Sequence, residues 1–253
     1  MRCPLEFHFR YIARIAEPEV ATELRLGKAV HAALEQALLG KSLFDAMEEA
    51  RKQVFGDEEQ ARLARFVEPI GLFLARIAEF RKKRRVRTEL VEHRLGVTFD
   101  FKPTEFIAPD AFFRGVWDAG YLFDDGVLAV VDHKTGIKRA AADYADQLKG
   151  YAALAAANVG GIRKLWLGVH FVNSATLEWA APVDLAEVKE TFTPRLLRTI
   201  ETAAQAVAGE PAPKPSGWCT RCSYRSICPA MRVPPPSLPE PAPELVDDKG
   251  GER

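Results

Sequence analysis

What this sequence lacks excludes several classes of protein. No apolar run approaches about 20 residues, so no segment is a candidate for a membrane-spanning helix. The opening Met1-Arg2-Cys3-Pro4-Leu5-Glu6 carries no apolar core of the signal-peptide kind, which sets an expectation of a cytoplasmic protein. Net charge is also missing: 35 Lys and Arg balance 35 Asp and Glu. A histone-like protein that coats nucleic acid by bulk charge is therefore excluded, although a local basic groove is not. There is no internal repeat and no G-x-x-x-x-G-K-[ST] phosphate loop, so the chain carries no nucleotide-driven motor. Cysteine is scarce, with only Cys3, Cys219, Cys222 and Cys228. In a cytosolic chain these are not expected to form disulfides, and three of them close together suggest a metal.

The 253 residues have the composition of an ordinary folded protein, with 47% hydrophobic and 28% charged residues. Apolar Leu26, Val30, Leu34 and Leu38 recur about every four residues and predict a helix over 18–40. Further helices are expected near 42–55 and 58–85, separated by Gly56-Asp57 with Asp57 as cap. The second ends in a basic run, Arg81-Lys82-Lys83-Arg84-Arg85-Val86-Arg87, which reads either as a solvated helix end or as a phosphate contact. β-Branched and aromatic residues then predict strands near 89–101, 111–123 and 126–133. An Ala-dense helix over 140–158 follows, then strands near 163–172 and 176–182 with Asn173-Ser174 at the turn. A last helix runs from a cap at Asp184 to about 208, and the Pro-rich tail after Met231 reads as disordered. The fold class is α/β, helices on a small mixed sheet with a helical N-terminal part.

The chemistry concentrates in two strands, Gly115-Val116-Trp117-Asp118 and Val130-Val131-Asp132-His133-Lys134-Thr135-Gly136. If Asp124-Asp125-Gly126 is a three-residue hairpin loop, Phe123 pairs with Val127, and counting back sets Asp118 opposite Asp132. Asp132 and Lys134 are two apart and share a face. Two carboxylates side by side on an apolar strand repel each other unless a cation intervenes. Mg²⁺ or Mn²⁺ suits them, with the His133 carbonyl as a further oxygen ligand. Lys134 beside them would position a water and stabilise a developing oxyanion. Asp-x-Lys alone would be an ordinary ion pair on an exposed strand. The apolar lead, the second acid in register and the Thr-Gly that follows argue otherwise.

Gly-x-x-Asp, a hairpin and then apolar-Asp-x-Lys-Thr-Gly resemble the RecB-like PD-(D/E)XK nucleases. The resemblance implies a restriction-endonuclease-like core that cuts DNA with a divalent metal. It also implies a helical metal-binding histidine, matched by Gly27-Lys28-Ala29-Val30-His31 at His31, and a Gln-x-x-x-Tyr pair that organises site and substrate, matched by Gln147 and Tyr151. An acid that often opens the first strand is matched by Glu92, where a solvated strand end is the alternative. Cys3 with the C-x2-C-x5-C of Cys219, Cys222 and Cys228 is similar to the iron–sulfur members, the AddB nuclease domain and the CRISPR-associated RecB-like exonucleases. In these, one early and three late cysteines hold a 4Fe-4S cluster that staples the chain ends. Zinc is the alternative, although zinc ribbons usually pair two C-x-x-C knuckles and Cys3 has no such partner.

The expected organisation is 1–88 (early cysteine and helices), 89–208 (nuclease core), 209–231 (cysteine region, packing with Cys3) and 232–253 (tail). The function implied is exonuclease action on single-stranded DNA or DNA ends, in repair, recombination, phage DNA processing or CRISPR adaptation. A separate helicase or a CRISPR adaptation subunit would be the partner. The alternative is a non-cutting iron–sulfur DNA-binding or scaffold subunit, and RNA remains open as substrate.

Overall fold

The computed structural model describes residues 3–18, 22–180, 183, 188, 190–191, 194, 197–198 and 211–232. Most of the expected Asp184–208 helix, and residues 233–253 of the tail, lie outside these. The chain divides into two compact units, one of residues 1–19 with 205–253, the other of residues 20–204.

In chain order the helices are α1 (Pro4–Phe7), α2 (Thr22–Leu38), α3 (Leu43–Arg51), α4 (Gly56–Ala64), α5 (Val67–Lys83), α6 (Ala145–Asn158) and α7 (Pro229–Arg232). The strands are β1 (Val86–Val97), β2 (Pro103–Thr104), β3 (Phe113–Phe123), β4 (Val127–Lys134), β5 (Lys164–Phe171) and β6 (Thr176–Trp179). The single helix expected over 58–85 is two, α4 and α5, joined at Arg65-Phe66. Pro69, third in α5, explains the break: its ring would meet the carbonyl four residues back, and it has no N–H to donate. Asp57 lies in the first turn of α4, whose cap position is Phe55, so it is not the cap expected of it.

The strands form one mixed six-stranded sheet in the order β2-β1-β3-β4-β5-β6. Among the described strands only β4 and β5 run parallel, joined by the crossover that contains α6. Helices α2 to α5 bury Leu26, Val30, Leu34, Met47, Leu63, Ile70, Phe73 and Ile77 on one face, against Ala119, Tyr121, Ala129 and Val131. Helix α6 covers the other with Leu148, Tyr151 and Leu154 over Trp117, Leu128, Val130 and Leu167. This is the α/β architecture expected from the alternation of periods. No helix among the described residues is long and apolar enough to cross a membrane.

The β3–β4 hairpin has the expected register: Leu122 pairs with Leu128, Tyr121 with Ala129 and Ala119 with Val131. Gly126 takes a φ of 78° in the loop, a left-handed conformation that costs glycine little. One feature of the sheet is not visible as periodicity. In β3, Ala119, Tyr121 and Phe123 face the α2–α5 core, whereas Trp117 belongs to the α6 core and Gly115 faces Leu154. The inside–outside alternation thus inverts at Asp118. It inverts at the same level in β1, between Val91 on one core and Leu95 on the other. Glu92 lies there with a φ of 46°. A left-handed non-glycine residue is strained, and such kinks re-aim side chains.

Candidate metal and catalytic site

Asp118 and Asp132 stand at the open end of the hairpin. The β3–β4 ladder ends at Ala119–Val131, and the next link is made by a side chain: the His133 N–H donates to Asp118 Oδ2 at 2.5 Å. The other Asp118 oxygen lies 3.5 Å from His31 Nδ1 on α2. The re-aimed Glu92 completes a group with His31 and Asp118 in which one donor atom from each lies within 4.8 Å of the others. One hard cation about 2.0–2.6 Å from each donor spans such a separation, and two carboxylates with an imidazole suit Mg²⁺ or Mn²⁺. The residues present therefore fit a divalent ion.

Asp132 stands apart from that trio and is heavily engaged. Its Oδ1 accepts from Gln147 Nε2 at 2.7 Å and from Tyr151 Oη at 2.9 Å, and its Oδ2 lies 2.6 Å from Lys134 Nζ. Gln147 also donates to Tyr151 Oη at 2.8 Å, so the pair one helical turn apart on α6 acts on the carboxylate as one clamp. The face of Tyr144 lies 5.2 Å from the Lys134 ammonium. Gly115 lets α6 come this close, because a Cβ there would sit 2.5 Å from Leu154 Cδ1.

These environments split the acids. Burial raises Glu92, with the Asp118 charge adding to it, to about 7. Burial also pushes Asp132 upward, and Lys134 only partly offsets it. For Asp118 burial acts the same way, but the His31 hydrogen bond and the neighbouring histidines outweigh it and hold the group low. Burial works against protonated His31, yet the Asp118 bond prevails and raises it. Acids packed so that one is forced toward neutrality mark a place where a cation relieves repulsion. The site opens to a cleft of about 570 Å³ that His31, Glu35, Glu92, Lys134 and Tyr144 help to line.

The structure thus brings His31, Asp118, Asp132, Lys134, Gln147 and Tyr151 together, and His133 enters through its backbone N–H. Sequence reasoning gave Glu92 only a weak place, because its position follows from a left-handed residue that periodicity does not reveal. The basic run is elsewhere. Arg81 makes a two-pronged pair with Glu89, Lys82 pairs with Glu79, and Arg84 and Arg85 pair with Asp125 and Asp124 of the hairpin loop. At about 3.3 Å per residue that loop is roughly 20 Å from Asp118 along the strand. Acids in reach neutralise much of the run, as the solvated-end reading requires.

All four cysteines are free and lie in the other unit. The Lys214 amide donates to Cys3 Sγ at 3.4 Å and the Ser216 amide to Cys219 Sγ at 3.3 Å, and Cys222 receives the Tyr224 amide. Burial pushes the Cys222 thiol up, and the neighbouring Glu6, Cys228 and Cys3 add to that. Among the described residues no three of the sulfurs come within 4.8 Å of one another.

Residues 1–229 match the sequence profile of the PD-(D/E)XK nuclease superfamily, and the chain belongs to that superfamily. No curated protein matches it. Among solved structures it is similar to one from Eubacterium rectale named "putative exonuclease", at 17% identity and a TM-score of 0.51, over 96% of this chain and 84% of that one. That likeness shows a shared fold. A second, named SSO0001, is 17% identical over 82% of this chain and 86% of that one, with a TM-score of 0.37.

Proposed function

We propose that this protein is a metal-dependent deoxyribonuclease of the RecB-like kind, acting as an exonuclease on single-stranded DNA or DNA ends. The observation that carries the reading is the convergence of His31, Glu92 and Asp118 beside an Asp132–Lys134 pair in an open cleft. His31, Asp118 and Glu92 hold Mg²⁺ or Mn²⁺, and Asp132 and the His133 carbonyl complete the ligand set. The ion, when bound, lowers the pKa of a water and neutralises charge on the scissile phosphate. Gln147 and Tyr151 hold Asp132 in place. Lys134 keeps an ammonium at the cleft, where it orients the attacking water and stabilises charge that develops on the phosphate oxygens.

The four cysteines hold a 4Fe-4S cluster that ties Cys3 to the 209–231 region. Two observations support it. Amide donors already aim at three of the four sulfurs, as a cluster's thiolates require. The one-plus-three spacing of Cys3 with Cys219, Cys222 and Cys228 also lacks the two C-x-x-C knuckles that a zinc ribbon pairs. A helicase or a CRISPR adaptation subunit is the proposed partner, in repair, recombination or spacer acquisition in the cytoplasm.

The test is anaerobic purification with iron, sulfide and zinc assays, followed by end-labelled single-stranded DNA with Mn²⁺ or Mg²⁺. Wild type is expected to shorten the DNA only with metal, and Lys134→Ala to be slower by about 10²–10³-fold, the loss typical of one transition-state donor. DNA binding without cleavage, by protein that retains its metals, would instead make the chain a binding or scaffold subunit. Zinc in place of iron and sulfide would overturn the cluster.

A further inference from the structure

Beneath the catalytic strand lies a polar contact that the reaction outlined above does not use. His133 and His170 face each other across the parallel β4–β5 pair, with Nδ1 atoms 2.9 Å apart. Their exposures are 2% and 0%. Phe73 of α5 stacks on His170 at 4.1 Å and meets His133 edge-on at 5.0 Å. Valine or leucine in these places would fill the same apolar layer without leaving either Nε2 atom unpartnered, as both are here. A buried polar pair that an apolar pair could replace calls for a reason other than stability.

The strand pairing supplies one. On the β3 side the ladder stops at Ala119–Val131, but on the β5 side it continues through Asp132–Val169, His133–His170 and Lys134–Phe171. The tripeptide that carries Asp132 and Lys134 is therefore held in the sheet from β5. Its one link toward β3 is the His133 N–H, spent on Asp118 Oδ2. The His133 side chain, on the same residue as that N–H, is pinned to β5 by a short directional bond. One ring must donate its Nδ1–H and the other accept, which fixes both tautomers and both ring planes.

We propose that His170 is a positioning residue for the metal site: it locks the His133 ring, and through the His133 peptide it aims the Asp118 carboxylate at the cation. The inference rests on Asp118 being a metal ligand, as in the reading above. Groups that orient a ligand rather than bind the metal typically change metal affinity by about 10–100-fold when removed.

The test compares wild type, Asp118→Asn, His170→Asn and the double variant His133→Leu/His170→Leu, reading Mn²⁺ affinity by spin resonance of the free ion and stability by thermal melting. The double variant removes the pair without leaving a half-satisfied ring, so it is expected to melt at or above wild type while binding Mn²⁺ about tenfold more weakly. His170→Asn keeps a polar partner for His133 and is expected to bind within about twofold of wild type. A folded double variant with wild-type affinity would overturn the inference while leaving the metal site standing. So would an unfolded one, because the pair would then serve the fold. If wild type and Asp118→Asn bind Mn²⁺ alike, the metal-site reading itself fails, and this inference with it.

Discussion

Two glutamates near helix α2 have been driven in opposite directions. Glu59 reaches the first turns of α2, where it accepts from Thr22 at 2.9 Å and pairs with Arg25, and it also takes the Phe55 amide at 2.9 Å. Arg25 above all, then the amide, hold it down at about 2. Glu92, on strand β1, lies beside His31 farther along α2 and faces the Asp118 charge, and burial raises it to about 7. Both are glutamates in otherwise ordinary sequence. The first has every lone pair answered by a donor and joins helices. The second is set against a like charge on a strained residue, an arrangement that a cation would relieve. Satisfaction, rather than burial or residue type, separates the acid that joins helices from the one proposed to hold a metal.

The strongest way to break that contrast is Glu92→Gln. Mn²⁺ affinity is expected to fall by more than about 100-fold, at least the loss seen for an outer-shell partner, while metal-free protein melts no lower than wild type. A lower melting temperature with unchanged affinity would make Glu92 a structural residue after all. Gly115→Ala comes next. Its new Cβ meets the tip of the Leu154 side chain, Cδ1, at 2.5 Å, so Leu154 must turn away or α6 must shift, at a cost of about 1–3 kcal/mol in chemical denaturation and, where α6 shifts, some loosening of the Asp132 clamp. An unchanged unfolding midpoint would show that Leu154 gives way freely.

Glu59 supplies the pH arm. Its folded pKa lies below its ordinary value, so its contribution is fully present above about 4.5 and is lost as pH falls toward 2. Wild type should lose melting temperature through that window, and Glu59→Gln should start lower and lose less. Parallel curves would remove Glu59 from the clasp. The smallest effect is expected for Arg85→Ala. Its pair with Asp124 is widely exposed, so stability should change by less than about 0.5 kcal/mol and cleavage not at all. A raised KM for DNA in that variant would restore the phosphate-contact reading of the basic run.

Much of the site was legible because it obeys local rules. The Asp124-Asp125-Gly126 loop sets one register, which holds as far as Ala119–Val131, one residue short of Asp118 and Asp132. Gln147 and Tyr151 share a face by helical spacing. The break between α4 and α5 was missed, although Pro69 carries the local signal for it. Glu92 was legible only weakly, through resemblance, because the inversion of alternation in β1 and β3 is a property of two strands bending together, and a pattern of single residues carries no sign of it.

The sequence by itself determined the α/β class, the hairpin register and the spacing of the candidate site residues, since turn chemistry and side-chain period act over a few residues. The tertiary structure alone decided which acids converge on His31 and which one Gln147 and Tyr151 clamp, where the basic run finds its partners, and that His170 lies against His133. Those outcomes depend on burial and on approach between strands and helices far apart in the chain. Charge and hydrogen bonding take their values from that three-dimensional neighbourhood, not from the order of residues.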